Sequence, residues 1–225
     1  MAAARLAQRR AAKAKRRKQV LMERRRRVPT SLADKIRLFA ELPLHGCLLH
    51  GGLQDDGMAT VFLTRKCRTG QLVMAGFLID AMALGIKDVV FQVIEPSEFN
   101  EIVVEMERAA PVTRVEPAYA RKLVRDAAAH GRSLGLRPPR NFAVLERLFG
   151  DVRAEDCTET FEFGDGGRPV YVVGPTENAR EVAERLASLT RSVGPSGFDF
   201  IIPSEDDDAF EPDAEEPPAD TASAA

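Results

Sequence analysis

Chemistry-bearing side chains come close together at two places in this sequence, and a third candidate stands alone. "HGCLLH" sets His45, Cys47 and His50 within six residues, a nitrogen–sulfur donor set of the kind zinc takes. A fourth ligand is missing, because no CxxC or HxxxH partner stands nearby. The competing expectation is a turn whose Cys47 packs inward with the histidines at its rim. No metal and no cofactor are therefore assigned, and His45, Cys47 and His50 are the candidates should one bind. "FLIDAMALGIKDV" places Asp80 at the end of an apolar run and Lys87 and Asp88 just past Gly85. Carboxylates at strand ends can hold magnesium for phosphodiester chemistry, with Glu101, Glu105 or Asp126 completing the set in space. The simpler role for Asp80 is to cap the next segment, with Lys87 and Asp88 as a turn pair. His130, beside Gly131, could act as a general base only with a partner, and its place near a helix C-terminus accounts for it without catalysis. Asp80, Asp88 and His130 are thus the catalytic candidates, and the sequence leaves open whether the protein is an enzyme. No GxxxxGK[ST] or GxGxxG is present, so the common phosphate loops are absent.

Charge is the stronger signal. The net charge of −2 conceals a segment, 1–27, with twelve Lys and Arg against the single acid Glu23, and a segment, 203–225, with nine acids and no base. Between them, 114–153 holds nine bases and four acids. Phosphate is the natural counterpart of such arginines, because the planar guanidinium donates two hydrogen bonds at once. An arm plus a basic surface is the pattern of backbone-dominated nucleic-acid binding. The candidates are Arg9, Arg10, Lys13, Arg16, Arg17, Arg24 and Arg25 in the arm. In the body they are Arg121, Arg125 and Arg132, at i, i+4 and i+11 of one helix, with Arg137, Arg140 and Arg147 beyond. The arm has no aromatic residue for base stacking and no apolar face for a membrane surface. The acidic tail can instead contact the basic arm within the chain.

The elements that must carry these residues lie between the two charged ends. Pro29 separates the arm from a short helix opened by Ser31 with Asp34 three residues on, a capping-box pattern. "LHGCLLHGGLQDDG" predicts a loop with at most a short strand. "MATVFLTRK" and "QLVMAGFLID", joined by "CRTG", predict a hairpin whose second strand is buried on both faces. "ALGIKDVVFQVI" adds a further apolar stretch. Helices follow from Pro96, with Phe99, Ile102, Val103 and Met106 inward, from Pro117, with Ala120, Leu123, Val124 and Ala127 inward, and over "PRNFAVLERLFG". "TETFEFGDGGRPVYVVGP" predicts a second hairpin turning at Asp165–Gly167. A last helix is expected with Thr176 as N-cap and Val182, Leu186, Leu189 and Val193 inward, then a strand at "FDFII". The order defines an α+β protein: two β-hairpins packed with about five helices in a single domain over 28–202. A basic arm over 1–27 precedes it and a disordered acidic tail over 203–225 follows it.

"VFLTRKCRTGQLVMAGFLIDAMALGIKDVVF", "ARKLVRDAAAHGRSLGLRPPRNF" and "FEFGDGGRPVYVVGP" together resemble a family of uncharacterised bacterial proteins marked by an FL[IV]D-x3-LG-x-KD stretch. The resemblance covers about 57–202. It implies the order of hairpin, turn, helix and late hairpin, and no settled activity. Two departures stand out: Ala83 where members often have Cys, and Pro138-Pro139 where they often have Pro-His.

Three scattered cysteines, Cys47, Cys67 and Cys157, form no disulfide framework, so a reducing cytoplasm is expected. No apolar run reaches the roughly 18 residues of a membrane span, and the N-terminal charge lacks the apolar core of a secretory signal. The expectation is a cytoplasmic protein that binds nucleic acid, with RNA the favoured polymer. Its alternatives are a metal-dependent nuclease or phosphohydrolase built on Asp80 and Asp88, and a protein-interaction module with charged solubility tails.

Overall fold

A computed structural model describes residues 31–53, 57–174 and 176–203. The arm candidates Arg9, Arg10, Lys13, Arg16, Arg17, Arg24 and Arg25, and nearly all of the acidic tail, lie outside the described residues. Helix α1 (Leu32–Phe39) begins as the sequence predicts: Ser31 Oγ accepts from the Asp34 amide at 3.1 Å and donates to Asp34 Oδ2 at 2.8 Å. Four strands then run as an antiparallel meander: β1 (Leu44–Gly52), β2 (Met58–Lys66), β3 (Leu72–Asp80) and β4 (Gly85–Ile94). Helix α2 (Pro96–Ala109) leads into β5 (Val112–Val115), which pairs with β1. The sheet order is β4-β3-β2-β1-β5, and the fold is α+β.

The expected β2–β3 hairpin forms, with Cys67 to Gly70 as its turn and Gly70 at φ 98°. β3 is central and covered on both sides. Val73, Ala75, Phe77 and Ile79 face the main core, while Leu72 and Met74 meet Phe99 of α2. The main core is closed by helix α3 (Pro117–Ser133), the short α4 (Phe142–Leu145) and a 3₁₀ turn (Glu146–Phe149). "PRNFAVLERLFG" is therefore one brief α turn running into 3₁₀ rather than a full helix, and Gly150 at φ 63° ends it.

Three further expectations need correction. β1 is a nine-residue strand, not a loop with a short strand. Its glycines weaken the local strand signal, but ladders on both sides, to β2 and β5, override local preference. The second hairpin does not form. Its turn exists as an isolated Asp165–Arg168 bridge, but β6 (Val170–Val172) pairs in parallel with β7 (Asp199–Ile201), across helix α5 (Ala179–Val193). The alternating Phe161 and Phe163 are used otherwise: Phe161 meets Tyr119 edge-on at 5.1 Å and Phe163 stacks on His130 at 4.9 Å. The segment is thus laid along α3 by its aromatic side chains. Finally, α5 starts at Asn178, not Thr176. Asn178 Oδ1 accepts from the amides of Arg180 and Glu181, and Glu181 Oε2 accepts from the Asn178 amide at 3.1 Å. Three residues after Asn178 stands a glutamate, and three after Thr176 stands Ala179, so only Asn178 can build the reciprocal box. Leu189 is buried as expected, whereas Val193, at the helix end, is 37% exposed.

The parallel pair and α5 make a second, smaller core with Ala83, Leu84, Leu134, Leu136, Tyr171 and Leu189. Arg168 fastens it by a two-pronged contact to Asp199, at 2.6 and 2.9 Å. No helix among the described residues is long and apolar enough to cross a membrane.

Candidate nucleic-acid interface

The three α3 arginines do not form one free face. Arg121 donates to Glu146 at 2.9 Å and to the Gly150 carbonyl at 3.0 Å, and also to the Val152 carbonyl, with its side chain 11% exposed. It pins the turn after α4, and its burial leaves little of the guanidinium open to phosphate. Arg125 donates to the same Glu146 oxygen at 2.9 Å and reaches Glu155 at 3.5 Å. Burial pushes the Glu146 carboxyl upward, but the hydrogen bonds and charge of Arg121 and Arg125 outweigh it and hold the group below its ordinary value. Arg132 is different: it is exposed, lies over the Phe142 ring at 5.7 Å, and has no carboxylate partner among the described residues. Arg137, Arg140 and Arg147 are likewise exposed, and none makes an ion pair among the described residues.

Next to this stretch lies a groove of about 690 Å³ between the start of β4, the segment after α3, and α5. Lys87, Arg137, Arg185 and Arg191 line it, with Leu84 and Leu136 among its apolar residues. Lys87 is placed by a defect in the ladder. Leu78 pairs with Asp88 and Ile79 with Ile86, so Lys87 is the extra residue of a β-bulge. A bulge frees one side chain from the pleat and re-aims it. The turn before it depends on Gly85 at φ 71°, where an added Cβ would lie 2.2 Å from the Ala127 carbonyl.

The acids beside the groove are already committed. Glu181 closes the α5 capping box, and Glu184 is bridged to Arg180 at 2.9 Å. Arg185 is held by Glu177, which also accepts from the hydroxyl of the fully buried Tyr171. Burial raises Glu177, but the hydrogen bonds from Tyr171 and Arg185 bring it below its ordinary value. Among the described residues Arg191 donates only to neutral acceptors, the Ala187 carbonyl at 3.1 Å and Ser188 Oγ at 3.3 Å. Lys87, Arg137 and Arg191 therefore have no carboxylate partner among the described residues, an arrangement suited to a polyanion. Sequence reading singled out Lys87 only as a turn residue and did not single out Arg185 or Arg191. The available signal was α5 itself, whose arginines recur along an otherwise well-patterned helix.

The catalytic candidates do not converge. Asp80 is 4% exposed and its Oδ1 accepts from the Met82 and Ala83 amides, both at 3.0 Å; it caps the turn into β4. Asp88 is exposed on β4 and accepts from the Val89 amide at 2.7 Å. Asp126 pairs with Lys122 and Glu105 with Arg108. Among the described residues, no three His, Cys, Asp or Glu side chains are grouped to hold a metal ion. That includes the "HGCLLH" set, which β1 divides between the two faces of the sheet. Cys47 enters the main core, where burial pushes its thiol up to about 12. His45 lies edge-on to Phe99, and His50 Nε2 donates to the Met106 carbonyl at 3.1 Å, both on α2.

His130 stacks on Phe163, and its buried Nε2 has no hydrogen-bond partner among the described residues. Burial lowers its pKa below the ordinary 6.5, against the opposing pull of Asp80 and the Met82 backbone. The unfolded chain therefore takes up a proton that the folded one refuses, and stability falls as pH drops through 6.5 toward the lower folded value. His130→Phe is expected to lose less stability than the parent between pH 7.5 and pH 5.5, measured as the urea midpoint. An equal loss in both would overturn that origin. His45, also lowered by burial, contributes in the same direction to both proteins and cancels in the comparison.

The fold and site define an α+β domain with a cationic groove on its smaller core. Compared with known proteins, the chain matches no family model, no curated protein and no solved structure.

Proposed function

We propose that this protein binds nucleic acid, with RNA the favoured polymer, by gripping the phosphate backbone. The grip combines the basic segment 1–27 with the exposed arginines Arg132, Arg137, Arg140 and Arg147 and the groove cations Lys87 and Arg191. The observation that carries this reading is the absence of carboxylate partners for Lys87, Arg132, Arg137, Arg140, Arg147 and Arg191 among the described residues, in a body whose Arg121, Arg125, Arg168, Arg180 and Arg185 are all paired. Arginines left unpaired beside committed acids favour an external anion. Among the described residues no aromatic side chain lines the groove, so base stacking contributes little and binding is expected to be insensitive to sequence.

Fluorescence anisotropy of a labelled single-stranded RNA 20-mer with the full-length protein tests this. With about six phosphates engaged, log affinity is expected to fall against log salt with a slope of about −4. The double variant Arg137→Ala/Arg140→Ala is expected to bind more weakly and reduce that slope by about 1.4. A labelled DNA of the same sequence, run alongside, reports the preference between polymers. A flat salt response, or an unchanged slope in the double variant, would sink the reading.

A further inference from the structure

We infer that the groove between α5 and the β3–β4 turn is the docking site of the chain's own acidic segment, with Glu205, Asp206, Asp207 and Asp208 facing Lys87, Arg137 and Arg191. This goes beyond nucleic-acid binding and does not depend on it.

Charge supplies the first half of the case. The groove has three cations without a carboxylate partner among the described residues; of the two glutamates in its lining, Glu184 is paired with Arg180 and Glu181 accepts from the Asn178 amide, so unpaired cations outnumber unpaired carboxylates there three to one. An incoming carboxylate meets attraction from Lys87, Arg137 and Arg191. The segment that begins at Pro203 has nine acids and no base, with four consecutive acids at its start. Few segments could match the groove better in sign.

Connectivity supplies the second half. The chain leaves the described body just after β7, which pairs with β6, whose Tyr171 is buried in the small core beside the groove. Phe198, on the approach to β7, packs against the cluster that holds Leu136 and Leu189, and Leu136 lines the groove. Val173, which follows β6, donates its amide to the Ile201 carbonyl at 2.9 Å, and Tyr171 of β6 touches Arg185 of the groove. From Ile202, the four acids are reached within six residues, about 20 Å of extended chain. A tether that short holds them at an effective concentration on the order of millimolar, so a weak multi-charge contact is enough to occupy the groove. The arm lysines Lys13, Lys15 and Lys18 are the competing cations. They lie at the other end of the chain, whereas Lys87 is fixed by its bulge beside α5.

Lys87 also makes the proposal testable without nucleic acid. A water-soluble carbodiimide activates a carboxylate, and a lysine amine in contact then displaces the activating group to form an amide. Treatment of the full-length protein at low salt, followed by peptide mass spectrometry, is expected to link Lys87 to one of Glu205, Asp206, Asp207 or Asp208. The yield should be independent of protein concentration and lost in 1 M salt, where screening acts within about 3 Å. In the full-length variant E205Q/D206N/D207N/D208N, acetylation of Lys87 is expected to be about threefold faster, as for a site roughly two-thirds occupied in the parent. The exposed Lys66 should be unchanged. Tail carboxylates linked only to Lys13, Lys15 or Lys18, a Lys87 link that grows with protein concentration, or equal Lys87 acetylation in both proteins would each overturn the assignment. Loss of RNA binding in the separate anisotropy experiment would leave it standing.

Discussion

Arg65→Met is expected to destabilise the protein by about 4 kcal/mol, the largest effect of any single substitution considered for this chain. Arg65, next to the end of β2, is 4% exposed, and among the described residues no carboxylate pairs with it. Its Nε donates to the Leu148 carbonyl at 2.7 Å, one terminal nitrogen donates to the Phe149 carbonyl at 2.7 Å, and the other donates to the Leu42 carbonyl. These acceptors belong to the end of the 3₁₀ turn and to the exit from α1, where backbone carbonyls have no partner within their own element. One guanidinium thus ties two terminating segments to the sheet. Methionine fills similar space but removes all three donors, which among the described residues leaves the buried Leu148 carbonyl without a partner and the Phe149 carbonyl with only the Val152 amide at 3.3 Å. Arg65→Lys restores charge without the fork and is expected to recover less than half of the loss. Urea denaturation of the full-length chain measures both, and a loss below about 1 kcal/mol for Arg65→Met would refute the clamp.

Gly131→Ala is expected to cost about 2 kcal/mol, against the helix-propensity trend. In an exposed helix the change would stabilise by about 1 kcal/mol. Here an added Cβ would lie 2.4 Å from the Leu84 carbonyl oxygen and 3.1 Å from its carbon. The obstacle is backbone on both sides, so no side chain can rotate to relieve it. The contact is reciprocal, since Gly85 meets the Ala127 carbonyl in the same way. It sets how closely α3 approaches the turn that carries Lys87. A fall of about 6 °C in Tm is expected for the loss in a domain of this size. A rise would mean that α3 stands farther from the turn than the structure has it.

Much of this architecture was legible in local pattern. Phe99, Ile102, Val103 and Met106 mark one face of α2, and the small residues of α3 announce a neighbour at close range. The apolar run of β3 requires cover on both faces. Arg65 carried a legible signal that was passed over: it continues the inward alternation of Val61 and Leu63, an odd place for a cation unless it has buried acceptors. The late hairpin was misjudged because alternation reports only that side chains point two ways. It does not say whether the second face meets a strand or, as with Phe161 and Phe163, a helix.

By itself, the sequence determined the α+β class, the charged segments at either end, the helix starts at Ser31, Pro96 and Pro117, and the surplus of arginine over 114–153. Those properties depend on residue type and near-neighbour spacing, which chain order preserves. Only the tertiary structure decided which arginines remain available. Arg121 and Arg125 share a face as their spacing requires, yet Glu146, more than twenty residues away, takes both. Lys87 and Arg191 are over a hundred residues apart and come to line one groove, Lys87 as the extra residue of a β-bulge and Arg191 on α5. Coulomb attraction depends on distance in space, and the fold sets that distance.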